Sequence, residues 1–169
     1  MRHFPLRRLA SIACLVLAAA MGSGVASGVA AQTAAAPDLQ AAFLLNFARF
    51  TEWPPAPTRK QVVVCVFGDD RLGSAVVTAL RGQSIDGRDL VFSRLTSQST
   101  VVHCQVLFVA RGSLAAGLPL LERASGLPIL TVSDSPGFAS SSGIVELFVE
   151  KDSMRFAVNV DAAQRSSLT

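Results

Sequence analysis

Side chains able to do chemistry are few in this chain of 169 residues. Cys14, Cys65 and Cys104 are its cysteines, and His3 and His103 its histidines. Cys65 and Cys104 are too far apart for a C-x-x-C redox pair. Two lone cysteines with one histidine also make a poor zinc site, since closed zinc sites are tetrahedral. A Ser-His-Asp triad would need a nucleophile beside His103, yet no G-x-S-x-G elbow exists. Ser140-Ser141-Ser142-Gly143 reads as loop, and His103, next to Cys104 at a strand start, as structural or surface.

Val66-Phe-Gly-Asp-Asp-Arg-Leu-Gly73 has the outline of a phosphate loop, but it lacks G-x-G-x-x-G and a Lys-Ser/Thr pair. Asp69 and Asp70 would repel phosphate at the helix N-terminus that should attract it. Asp69, Asp70 and Asp134 could converge on a metal, but capping of helices and turns explains them more simply. The residues therefore point to no enzyme, no cofactor and no metal. Binding is what remains.

Two stretches could bind. Ser133-Asp-Ser-Pro-Gly-Phe-Ala139 follows a strand and sets Phe138 in a Gly/Ser loop, at the strand ends where ligand and partner sites gather in open α/β sheets. The alternative is a Phe138 plug against the sheet. The second stretch is 38–54, around which the chain is organised. Asp38 can cap a helix there and Pro54-Pro55 forbid its continuation, so it should end near Trp53. At about 100° per residue, Leu39, Ala42, Phe43, Asn46, Phe47, Phe50 and Trp53 share one face, which is expected on the core. An unpaired Asn46 amide among these aromatics would cost about 1–3 kcal/mol, so it needs a polar partner. Leu44, Leu45 and Arg49 then lie outside that face and become the expected partner surface, with Phe138 and the terminal hairpin nearby.

The N-terminus is expected to be a secretory signal: Arg2, Arg7 and Arg8, an apolar run Leu9–Met21, and Val29-Ala30-Ala31 before the cut. That run is shorter than the roughly 20 residues a bilayer requires. Domain bounds follow as a signal peptide over 1–31, a disordered leader over 32–37 and one domain over 38–169. Loss of the three arginines leaves twelve basic against twelve acidic residues, so the alkaline pI is no sign of nucleic acid binding. Export also makes a Cys65–Cys104 disulfide the default, with two buried thiols as the alternative.

Further along, Gln61–Phe67 is a β-branched run of the kind buried in parallel sheets. A helix from Asp70 or its neighbour to Leu80, a strand over 90–95 and an apolar strand over 104–110 follow. Ser113 can cap a helix to Arg123, weakened or broken by Gly117 and Pro119. A short strand at 128–132 and a hairpin of 144–149 with 154–160 come next. Asp161 can cap a short last helix. The expected fold is α/β, a single mostly parallel sheet flanked by helices on both faces, with a C-terminal antiparallel hairpin.

These segments also carry a resemblance. "AAFLLNFARFTEWP" is similar to the opening helix of the YfiR family, with its Ala-Phe-x-x-x-Phe-x-x-Phe-x-x-Trp-Pro pattern. "CVFGDDRLG", "VHCQVLFVA", "ILTVSDSPGFASSSGIVELFVE" and "MRFAVNVDAA" follow in the family's order, over about residues 39 to 165. At Arg165-Ser166-Ser167-Leu168 the chain departs from the family's longer, Leu-rich end. The resemblance supports the Cys65–Cys104 bridge. It implies a periplasmic homodimer that represses the periplasmic sensor domain of an inner-membrane diguanylate cyclase. Envelope stress or redox change, with an outer-membrane partner, relieves this, and cyclic di-GMP and biofilm formation rise. A small-ligand sensor module feeding a sensor histidine kinase is the alternative it leaves open.

Overall fold

The computed structural model describes residues 28–56, 59–141 and 143–169. At its centre is the β-branched run, β1 (Gln61–Phe67), preceded by helix α1 (Gly28–Phe50). Then come α2 (Asp70–Leu80), β2 (Ser84–Ile85), β3 (Arg88–Arg94) and β4 (Val106–Val109). A single 3-10 turn leads into α3 (Leu114–Ala124), followed by β5 (Leu130–Ser133), α4 (Phe138–Ser141), β6 (Val145–Glu150), β7 (Ser153–Val158) and α5 (Val160–Arg165). The strands form one sheet in the order β2-β3-β1-β4-β5-β6-β7. β3, β1, β4, β5 and β6 run parallel, while β2 and β7 pair antiparallel at the edges. The α/β class, the mixed sheet and the terminal antiparallel pair are thus as expected.

Alternation along β1 divides the core. Val62, Val64 and Val66 join Ala41, Leu44 and Ala48 of α1 and Leu72, Val76 and Leu80 of α2 in one apolar cluster. Cys65 belongs to a second cluster with Leu107 and Val109 of β4 and Leu120 and Ala124 of α3. Each fully buried leucine or valine stabilises the fold by about 1.5–3 kcal/mol. Inside the second cluster Cys65 and Cys104 form a disulfide, with Cα atoms 5.8 Å apart.

Helix ends follow the polar side chains. Asp69 Oδ1 accepts from the backbone N–H of Arg71 and of Leu72, both at 2.9 Å, and fixes the start of α2 at Asp70. α3 stays continuous despite Pro119, and Gly117 lets it lie close on the sheet: a Cβ there would stand 2.6 Å from Val109 Cγ1. Asn159, not Asp161, caps α5, accepting from Ala162 N at 2.9 Å.

α1 departs furthest from expectation. It extends back through 32–37, expected as a disordered leader, and Asp38 lies inside it; this alanine-rich stretch has high helix propensity. It stops at Phe50, three residues before Trp53, because Glu52 leaves the helix for the C-terminus. Glu52 N donates to Thr169 O at 2.7 Å and Thr169 N to Glu52 O at 3.3 Å. Most of the expected signal peptide lies outside the described residues. No helix among those described is long and apolar enough to cross a membrane.

Candidate interaction surface

α1 meets the sheet through small residues. Ala41, Leu44 and Ala48 are its buried line, Leu44 and Ala48 fully so. Measured from Leu44 at about 100° per residue, Phe43, Phe47 and Phe50 stand roughly 60–120° to one side. They are not beneath the helix but along its flank, facing β6, β7 and α5. Phe43 and Phe47 are half-buried, and Phe50 is 83 % exposed. Opposite them Phe156 of β7 is 50 % exposed.

These rings build one wall of a groove. Phe156 meets Phe47 edge-on at 5.3 Å between centroids and Phe43 at 6.1 Å, with Phe43 and Phe47 5.9 Å apart. Such spacings lie in the range preferred by aromatic pairs. Leu130, Ile144 and Val145 lie along the groove, Leu168 and Thr169 bring in the C-terminus, and the enclosed volume is about 460 Å³. Polar groups are few: Asn46 and Thr51 are among them. Chemically, this arrangement can bury an apolar or aromatic group and little else.

The expected core and partner faces of α1 are therefore corrected. Leu44, expected on the partner surface, is entirely buried, and Leu45 is half-buried against the same core. Phe50 and Asn46, expected inside, are exposed, so the Asn46 amide needs no internal partner. The physical reason is the depth of contact. Alanines at 41 and 48 let the helix backbone approach β1 and α2, and bulky rings could not fit in that gap. Arg49 is exposed as expected, and its guanidinium donates to Gln83 Oε1. Trp53 packs half-buried against the core, with its Nε1 buried and unpartnered.

Phe138 is the second correction, for it is the plug rather than an exposed contact. Only 3 % of it is exposed, and its ring occupies the space where Gly143 lacks a side chain. The Glu146 carboxylate holds the segment by accepting from Gly137 N at 3.1 Å and Ala139 N at 3.3 Å. Asn159 Nδ2 adds a donor to Ala139 O at 2.7 Å.

The acidic residues do not converge. Asp69 caps α2, Asp70 pairs with Arg94, and Asp134 accepts from Arg111 N at 2.7 Å. His103 is exposed, with Nε2 3.8 Å from Cys65 Sγ and 3.4 Å from Ser93 Oγ. Sequence reading missed Phe156 and Val158 as groove residues. The alternation Met154, Phe156, Val158 on an edge strand was the signal that could have found them.

Residues 37–169 match the family model described as DUF4154, YfiR/HmsC-like. No curated protein matches the chain.

Proposed function

The chain belongs to the YfiR/HmsC-like family, and from that premise we propose that it is a periplasmic regulator of cyclic di-GMP signalling that works by binding another protein. In this reading it holds the periplasmic sensor domain of an inner-membrane diguanylate cyclase in its inactive state. Cyclic di-GMP synthesis and biofilm formation then stay low until an outer-membrane partner draws it away.

The observation that carries the reading is the aromatic flank of α1. A phenylalanine left 83 % in water beside a half-exposed second one forms a contiguous apolar surface, which on soluble domains marks contact sites. Repression requires only that the groove favour one state of the partner. A tenfold preference is about 1.4 kcal/mol, less than the burial of a single Phe ring supplies.

Phe50→Asp tests this directly. The variant should melt within a few degrees of the parent, yet bind the purified sensor domain more than about tenfold more weakly. Parental affinity in Phe50→Asp would remove the groove from the reading. Sedimentation of the same preparations reports the homodimer that the family resemblance implies.

One observation favours a second reading. The groove's volume, about 460 Å³, falls within the roughly 300–1,000 Å³ of small-molecule sites. A small apolar ligand sensed there and reported to a sensor histidine kinase would stabilise the isolated chain in a thermal-shift screen, with no partner protein present.

A further inference from the structure

We propose that Cys65, Cys104 and His103 become, when the disulfide is reduced, a binding site for one thiophilic divalent cation of the zinc type. The proposal stands apart from the groove and from the functional reading built on it.

One strand and one dipeptide assemble the ligands. Cys65 comes from the middle of β1, while His103 and Cys104 enter together just ahead of β4. Their two sulfurs and the imidazole nitrogen lie within 4.8 Å of one another. On a tetrahedral zinc, with bonds of about 2.3 Å to sulfur and about 2.0–2.1 Å to nitrogen, sulfur and nitrogen ligands stand roughly 3.6 Å apart. Cys65 Sγ and His103 Nε2 are already at 3.8 Å. The imidazole nitrogen thus already stands near ligand spacing from one of the two sulfurs.

Only the sulfurs need to move, from a bonded pair to about 3.8 Å apart around the same ion. Rotation about the Cα–Cβ bonds provides this, because the Cα atoms are 5.8 Å apart on neighbouring segments. Both cysteines are fully buried among Leu95, Val101, Leu107 and Leu120. A released pair of thiols would have little there to bond except the imidazole and, beside it, Ser93 Oγ. His103 itself is exposed and stands beside the two buried sulfurs. A fourth position is left on the Ser93 side, where the hydroxyl lies 3.4 Å from Nε2. Two cysteines and one histidine are too few for a closed four-ligand zinc site; the fold offers an open three-ligand one.

The chemistry balances with one co-reactant, a dithiol. It gives two electrons and two protons to the bridge, breaking the S–S bond, and leaves as its own disulfide. Two thiols result. The cation then displaces both thiol protons to solvent and binds two thiolates and a neutral imidazole. The oxidised chain has no such ligand set, so metal uptake reports the state of the bridge.

The exported form, residues 32–169, reduced on an immobilised phosphine, then separated from it, is titrated with zinc chloride against a chromophoric chelator. Cobalt(II) in parallel reports thiolate ligation by its charge-transfer absorption. The expected result is one zinc per reduced chain, a thiolate-to-cobalt band, and no uptake by the oxidised chain. His103→Ala keeps both cysteines and should weaken zinc binding by about tenfold or more. A reduced chain that takes up no zinc, folded or not, overturns the proposal. So does equal uptake by the oxidised chain, or undiminished affinity in His103→Ala.

Discussion

Phe50 closes α1 and Phe138 opens α4, and each stands at a helix end beside the sheet. One is 83 % exposed and the other 3 %. The difference lies in what faces each ring. Phe138 meets a glycine whose missing side chain leaves room for it, and Glu146 and Asn159 hold the surrounding backbone by hydrogen bonds. Phe50 meets no such gap, because the chain turns aside at Thr51 and Glu52 joins the C-terminus. Hydrophobicity alone therefore did not decide burial. A matching void and a polar latch did.

Three substitutions sharpen or break this contrast. Phe138→Ala should have the largest effect: emptying a filled, dry site costs about 3–5 kcal/mol, visible as a lower denaturant midpoint. Gly143→Ala reverses the complementarity from the other side. Its new methyl group meets the Phe138 ring, and overpacking of this kind costs about 1–3 kcal/mol. Phe50→Ala should be the smallest, within about 0.5 kcal/mol of the parent, as for ordinary surface positions. If Phe50→Ala destabilised the chain as much as Phe138→Ala, Phe50 would be a core residue, and the groove would lose its character as an open surface.

Much of the architecture was legible because strands and short helices announce themselves locally. The run Gln61–Phe67, the α2 segment and the terminal hairpin carry their own period and end signals, and the structure places them where those signals fall. The disulfide was legible from compartment chemistry and family likeness together. The facing of α1 was not. A helix with apolar residues nearly all round has no single moment, and the choice fell to Ala41 and Ala48, whose small size permits close approach to β1 and α2. In the pattern they were nearly invisible beside three phenylalanines. The aromatic residues were thus identified as the informative ones: Phe43, Phe47 and Trp53 pack against the core from the flank, while Phe50 faces outward. β2, two residues long, and α4, four residues long, are too short to show any period.

His103 illustrates a related blindness. Its ring nitrogen faces Cys65 Sγ of β1, 38 positions away in sequence, and Ser93 Oγ of β3. Register across a sheet made that meeting, and no local spacing could have encoded it.

The reciprocal backbone bonds between Glu52 and Thr169 also matter at the bench. Anything fused to the last residue leaves the fold at the rim of the aromatic groove, where Thr169 is itself part of the lining. A carboxy-terminal affinity handle would therefore sit across the mouth of the surface whose ligand is being sought. Capture experiments should carry the handle behind the expected signal cut after Ala31.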